Sequence, residues 1–522
     1  MKTYYLVIFI LASNILFAQT VFNKNYIDTV GLGNWGSTGN IICKDNHYYL
    51  YGGYLASLDN CDAVYKRGTC FLKIDSMGNL LNTSYLANCD KDIYECTHKS
   101  LILKNNELYS CGSFVYFENM RTNYVIRINL NLSIIEINEF AVDTSSKRVF
   151  CMCDTHDDNF LVCGSIDSTY NEMLGLPDTT FTKSCLFKLT AEGAILWQKS
   201  YSFGNESDGC YSLFRHVIPT YDNGFIATGR TSDFGISKNM VLKSDSLGNQ
   251  EWVRFYGNSM YRNPNFTDVI ATKDSCYIVC GAYTYGETFG GLYPYDGWII
   301  KIDNNGNTVW DRKYRDYTVG NTDWRDTIYN VFNGVTELSN GNLALIATSK
   351  NGHVYGRKPK LYLLNSEGDT LFTKIYETAN PWYNPNTIIE TEDNGFAIGG
   401  SGDFYDWDTI NQVWVSSQRI FLLKTDSLGN DTIISDISPI ESKPISEFKL
   451  EFYPNPANSE FFIDLPQGMD NDVLEVYSTT GSLVWQQNVG VGTNRIGVFG
   501  LEPGMYLVKI KGANLYGKII VN

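Results

Sequence analysis

A hairpin that recurs seven times limits what this chain can fold into. Its clearest copy is Trp298–Tyr314, WIIKIDNNGNTVWDRKY. Side chains alternate along a strand, so Trp298, Ile300 and Ile302 share one face, and Ile299 and Lys301 share the other. The stretch 303–307 (DNNGN) is turn chemistry, because Asn and Gly tolerate a positive φ, and a second strand follows from Thr308 to Tyr314. The other copies are Phe71–Leu86, Val125–Phe140, Leu186–Tyr201, Val241–Tyr256, Leu361–Tyr376 and Phe421–Ser435. The turn glycine falls at Gly78, Gly193, Gly248, Gly306, Gly368 and Gly429, with Leu132 in its place in the second copy. The mean spacing is about 58 residues, a length that suits a four-stranded repeat. Trp197, Trp252, Trp310 and Phe372 lie four residues beyond the glycine, and Tyr201, Tyr256, Tyr314 and Tyr376 lie eight beyond it. Both offsets are even, so these rings share a strand face and predict a repeated packing layer.

A strand–turn–strand element precedes each hairpin, as in Asp222–Thr231, Asp274–Tyr283 and Asp393–Ser401. Each unit then has four antiparallel strands. Seven such units predict an all-β fold, a seven-bladed β-propeller over residues 20–437; a β-solenoid or tandem sandwiches are the alternatives. Val21–Tyr26 (VFNKNY) is similar to the fourth strand Val309–Tyr314 (VWDRKY), whereas the last copy's own fourth strand, 431–437, lacks both aromatics. Residues 21–26 are therefore predicted to complete or cover the seventh blade.

The composition agrees: 45 Gly, 36 Tyr and only 19% charged residues suit a turn-rich β protein. A net charge of −16 argues against nucleic acid as a partner. Met1–Ala18 has an early Lys, an apolar run and small residues, which predicts a signal peptide over 1–18 cut after Ala18 or Gln19. A membrane anchor is the alternative; no later apolar run of about 18 residues follows, so the mature chain is expected to be soluble. Thirteen Cys in an exported chain permit disulfides, with Cys61/Cys70 and Cys89/Cys96 as the first local pairs to test.

Strand parity places the short turns of every unit on one side and the long connections on the other. Long loops on a rigid scaffold are where binding is usually placed. The richest are Tyr283–Trp298 and Ser401–Trp414. Their Tyr283, Tyr285, Phe289, Tyr293, Tyr295, Phe404, Tyr405 and Trp407 are candidates to stack on sugars or anchor a protein, or else to pack the loops themselves. Asp403, Asp406 and Asp408 offer hard oxygens to calcium but lack EF-hand spacing, which leaves solvated carboxylates as the simpler reading. No zinc spacing occurs, and the five His at 47, 98, 156, 216 and 353 fall in no HExxH pattern. Neither GxSxG nor Walker A is present, so no catalytic residue, metal site or cofactor is assigned. Three functions remain open: a binding or adhesion module for polysaccharide or protein, a glycosidase or lyase using paired carboxylates, and a structural spacer.

Residues 438–447 (SPIESKPISE) read as a linker. Short alternating strands over 448–522 predict a small immunoglobulin-like β-sandwich. This module resembles the type A C-terminal sorting domain of the type IX secretion system of Bacteroidetes. The resemblance rests on Tyr453-Pro454-Asn455-Pro456-Ala457, on Val476–Leu483 with Gly481, on Gly500–Val508 with Gly504 and Tyr506, and on Gly517–Asn522 with Lys518 and Val521. It implies transit of both membranes with the type IX machinery as partner. Cleavage of the domain and then surface attachment at the outer membrane, or release, would follow. The repeats are also similar to propeller repeats of such cargo, DGGYIxxG…WLxKxDxxGNxxW, best in Asp222–Tyr256 and Asp274–Tyr314. Asp303–Trp310 resembles the sialidase Asp-box at the same hairpin, with longer spacing and Lys301 in place of its Ser; that box is structural, not catalytic. Asp75-Ser76-Met77, Asp245-Ser246-Leu247 and Asp426-Ser427-Leu428 are similar to an O-glycosylation motif of the phylum, but the turn explains them without modification.

Overall fold

A computed structural model describes residues 21–26, 38–56, 66–96, 99–116, 121–140, 147–168, 181–203, 211–233, 236–259, 265–284, 295–315, 329–350, 356–376, 382–408, 413–431, 452–465, 472–478, 482–511 and 516–522. The signal segment with Ala18 and Gln19, the linker 438–447, and Tyr285, Phe289, Tyr293 and Gly481 lie outside the described residues. The chain is all-β, with no helix among the described residues. It forms two compact bodies, one holding the described residues up to Asp431 and the other those from Phe452 on.

The larger body is built of small antiparallel meanders. Unit 4 is the pattern: Tyr211–Pro219, Phe225–Asp233, Ile236–Ser244 and Gln250–Ser259 pair in sequence order. Units 1, 3, 5 and 6 repeat it, starting at Thr38, Lys147, Phe266 and Tyr329. In unit 2 the first strand is split into Lys91–Glu95 and Ile102–Lys104, both paired with Glu107–Tyr116. Unit 7 consists of Trp382–Glu390, Phe396–Asp408 and Val413–Thr425, and takes its fourth strand from the start of the chain. Phe22–Tyr26 pairs antiparallel with Val413–Thr425, from Phe22↔Lys424 to Tyr26↔Ile420.

Seven apolar clusters lie between the units, each shared by two of them. Tyr51 and Phe71 of unit 1 pack with Phe114 and Tyr124 of unit 2, and the series continues through units 2/3, 3/4, 4/5, 5/6 and 6/7. The seventh cluster joins Ile420, Leu422 and Phe22 of unit 7 to Tyr48, Leu50 and Leu72 of unit 1.

The aromatic ruler read from the sequence is the clamp between units. Trp252 Nε1 donates to Asn304 O of the next turn at 3.1 Å, and Trp310 Nε1 donates to Ser366 O at 3.2 Å. Tyr201 and Tyr376 hydroxyls donate to the carbonyls of Gly248 and Gly429, at 2.6 and 3.0 Å, and Tyr314 to that of Gly368. The N-terminal strand copies both contacts. The Tyr26 hydroxyl donates to Gly78 O at 3.0 Å, and the Phe22 ring covers Gly78 so closely that an added Cβ would sit 2.7 Å from it. At Gly306 a Cβ would lie 3.0 Å from the Trp252 ring, and φ is +76°. Glycine is therefore required twice at this turn, for the left-handed conformation and for the ring above it.

The C-terminal body packs a two-stranded sheet, Glu460–Leu465 with Gly492–Gly497, and a four-stranded sheet in the order Leu483–Val489, Asp472–Ser478, Gly504–Lys511, Tyr516–Val521. Its core includes Ala457, Phe461, Val476, Ile496, Tyr506, Val508 and Val521.

The cysteine expectation is corrected. Cys70 and Cys96 are both thiols, whereas Cys89 is a half-cystine whose partner lies outside the described residues. Cys96 instead faces Cys111 across paired strands, with Sγ atoms 3.0 Å apart, because Glu95↔Gly112 pairing brings those positions together.

Candidate functional site

Most of the repeated residues serve the fold. In units 1, 4, 5 and 7 the Asp that opens the hairpin turn accepts backbone N–H groups two and four residues on. Asp303 Oδ1 takes Asn305 N and Asn307 N at 2.9 and 2.8 Å, and Asp245 and Asp426 do the same. In units 3, 4, 5 and 7 the Lys of the hairpin strand reaches the Asp of the unit's first turn. Lys188, Lys301 and Lys424 meet Asp157, Asp274 and Asp393 at 2.6, 2.6 and 2.8 Å, and Lys243 meets Asp222 at 2.6 Å. Burial would raise the Asp222 carboxyl, but hydrogen bonds from Lys243, Thr220 and Asn304 hold it well below the carboxylate range.

The predicted ligand residues are placed differently from one another. Tyr283 packs edge-on against Trp298, with centroids 5.2 Å apart, and Lys313 Nζ lies 4.4 Å above its ring. Tyr295 opens the strand Tyr295–Ile302 and bridges to Tyr329. Ser401–Trp414, read from the sequence as a loop, is largely strand, because aromatic and β-branched residues extend the hairpin of unit 7. Phe404, Tyr405 and Trp407 pair with Ser417, Ser416 and Trp414. The neighbouring strands stop earlier, at Trp382↔Asp403 and Tyr26↔Ile420. The last pairs, to Asp408↔Val413, therefore form a two-stranded ribbon projecting about 16 Å beyond the sheet. Asp403, Asp406 and Asp408 lie on the same strand.

A polar cluster joins the first strands of the units. Each of these strands, from unit 3 to unit 7, has a bulge near its middle, at Phe150, Arg215, Thr267, Asn333 and Asn386. The residue after the bulge is Cys151, His216 and Asp268 in units 3, 4 and 5. His216 Nδ1 lies 2.7 Å from Asp268 Oδ1. Asp268 Oδ2 accepts Val335 N of unit 6 at 2.8 Å and meets Lys99 Nζ of unit 2 at 2.6 Å. Residues of units 2 to 6 thus meet at one point. Burial would raise Asp268, but the charges of Lys99 and His216 hold it well below the usual range. Burial works against a charged His216, but Cys151 and Asp268 outweigh it and lift the imidazole to about 9. Cys151 Sγ is 3.0 Å from the Lys99 carbonyl; burial would raise its thiol, but a hydrogen bond from Cys163 and the charge of His216 lower it to about 5. Chemically this is a Cys–His–Asp relay. Cys151, His216 and Asp268 are 0, 4 and 2% exposed, so it is sealed and acts as a cross-link between units. Among the described residues no group of three His, Cys, Asp or Glu is placed to hold a metal ion.

In the C-terminal body, Asn455 side-chain atoms pair with Lys518 O and Ile520 N, both at 2.9 Å, and so tie the YPNPA segment to the final strand. Tyr453 stacks on Phe462, and its hydroxyl donates to Asp464. Tyr506 and Val521 are buried in the core, Gly504 opens its strand, Lys518 is exposed, and peptide bonds 453–454 and 455–456 are cis. Residues 451–522 match the family described as secretion system C-terminal sorting domain. The C-terminal module is a type IX sorting domain. The protein is accordingly secreted or displayed on the outer-membrane surface, and its sorting domain engages the type IX machinery.

A curated relative, Beta-agarase A of Zobellia galactanivorans, is 26% identical over 192 residues, 35% of this chain and 32% of that protein. The chain thus spans about a third of that relative's length. Among solved structures, polysaccharide lyase Uly1 aligns over 77% of this chain and 92% of its own, at TM-score 0.43 and 9% identity. A Mycobacterium tuberculosis puromycin-hydrolyzing peptidase aligns over 87% and 64%, at TM-score 0.42 and 8% identity. No functional reading follows from structural likeness at this level.

Proposed function

We propose that the protein is an exported, non-enzymatic polysaccharide-binding module on the cell surface or in the medium. Its larger body, residues 20–437, is a closed seven-bladed β-propeller. The seven shared clusters, the N-terminal strand in unit 7 and the meeting of units 2 to 6 at Asp268 support closure. The signal peptide 1–18 starts export, and the immunoglobulin-like sandwich 448–522, after the linker 438–447, completes it.

The observation that carries the binding reading is the projecting ribbon with Phe404, Tyr405, Trp407 and Trp414 at its tip. It rises on the long-connection side, the side on which Tyr283 nears the end of its strand and Tyr295 begins the next. Aromatic faces in such a position suit sugar rings. The relative named a beta-agarase points to the same ligand class. A glycosidase would need two carboxylates about 5–10 Å apart at the channel mouth. Asp268 is instead buried and held by four donors.

The test is a glycan array probed with the full-length mature protein and its Trp407→Ala variant. Saturable binding to a polysaccharide, lost in the variant, is the expected result. A blank array, with capture of a protein ligand instead, overturns the polysaccharide reading.

A further inference from the structure

Among the described residues, two arginines on unit 4 have no carboxylate partner. Arg215 is the bulge residue of Tyr211–Pro219, and Arg230 sits on the next strand opposite Leu213. Both are half-buried, and both Nε atoms are sealed from solvent with no hydrogen-bond partner. The Arg215 guanidinium lies 5.0 Å from the centroid of Phe150 of unit 3, and that of Arg230 lies 5.1 Å from the centroid of Tyr211. Burial, followed by the neighbouring charge of Arg230, holds Arg215 below the ordinary arginine range, at about 10; only the weak acids Tyr211 and Cys163 oppose this. Two like charges side by side repel, and stacking on two rings returns only part of the lost hydration. In a chain of net charge −16, an unneutralised cationic pair is not a shortage of acids. Tyr211 begins its strand directly after a long connection, so the pair lies toward the side from which the ribbon projects.

We propose that Arg215 and Arg230, flanked by Phe150 and Tyr211, bind the anionic group of an acidic saccharide, a uronate carboxylate or a sulfate ester. A guanidinium donates two parallel hydrogen bonds to either group, and the flanking rings offer apolar faces to the sugar. The site deepens the polysaccharide reading and rests on it for the saccharide, while the anion site itself does not depend on the ribbon.

The test uses full-length mature protein and the variants Arg215→Gln and Arg230→Gln. Thermal unfolding is followed with D-galacturonate, inorganic sulfate or D-galactose, and retention is measured on polygalacturonate, a sulfated galactan and neutral agarose. Galacturonate or sulfate is expected to raise the wild-type Tm saturably, and galactose is not. Each variant should lose that shift and bind the acidic polymer roughly tenfold or more weakly. Without ligand its Tm should equal or exceed wild type, because a repulsion is gone, which separates lost binding from lost fold. Galacturonate acting alone assigns a uronate, and sulfate acting alone a sulfate ester. Wild-type affinity in both variants, or no anion effect, overturns the proposal. Retention on neutral agarose that Trp407→Ala abolishes, without any anion effect, overturns the arginine site and leaves the ribbon reading standing. Anion binding with retention of an acidic peptide but of no acidic polysaccharide overturns the saccharide assignment.

Discussion

Asp268→Asn should destabilise the larger body more than any other single polar change at the unit centre. The carboxylate accepts His216 Nδ1 at 2.7 Å and Val269 N at 2.9 Å on one oxygen, and Lys99 Nζ at 2.6 Å and Val335 N at 2.8 Å on the other. An amide has one acceptor, so whichever way it turns, its NH2 faces two donors. Lys99 and His216 also lose their counter-ion in a buried site, which costs about 3–5 kcal/mol. The pH dependence carries the sign. The His216 pKa is raised from about 6.5 unfolded to about 9 folded. Its stabilisation is therefore complete below pH ~6.5 and lost as pH rises through about 9, while the Cys151 thiol, lowered to about 5, gains stabilisation over the same window and offsets that loss. The Asp268 pKa is lowered, so its contribution holds above pH ~4 and fades as pH falls below that. Guanidinium unfolding of wild type and variant at pH 6, 7.5 and 9 checks both points. The wild-type free energy should stay nearly level from pH 6 to 9, and the variant should be much less stable at pH 6. A variant within 1 kcal/mol of wild type at pH 6 would refute the cross-link.

Gly306→Ala forces a Cβ into the Trp252 ring at a positive φ and should cost about 1–3 kcal/mol, read from the unfolding midpoint; a neutral effect contradicts the clamp. Tyr26→Phe removes the hydroxyl that donates to Gly78 O and should cost about 1 kcal/mol, with faster proteolysis near residues 21–26. Peptide mapping after alkylation should find Cys89 in a disulfide and Cys96 modified only once the protein is unfolded; a Cys89–Cys96 cross-link contradicts the structure.

The repeat was legible because its marks are obligatory. Gly306 must be glycine, Trp310 and Tyr314 must face the next turn, and Phe22 with Tyr26 repeat that pair at the other end of the chain. The central cluster was hidden by the bulges, which shift strand parity by one residue. Its only sequence mark is position: Cys151, His216 and Asp268 each fall eight residues before the matching turn position, Asn159, Gly224 and Cys276. Arg215 and Arg230 carry no motif, since their pairing follows from the register Leu213↔Arg230 and the bulge beside it. The Ser401–Trp414 stretch has the look of a loop in sequence because Gly402 and three Asp mask an extended hairpin of aromatic and β-branched residues.

The central claim is that binding occurs on the long-connection side and not at the repeated turns. Hydrogen–deuterium exchange of the full-length protein, with and without an oligogalacturonate or a neutral agaro-oligosaccharide, tests it most directly. The account predicts slowed exchange in 404–417 and in 211–216, with no change in the turns 75–79, 245–249, 303–307 and 426–430. Protection confined to those turns would contradict it.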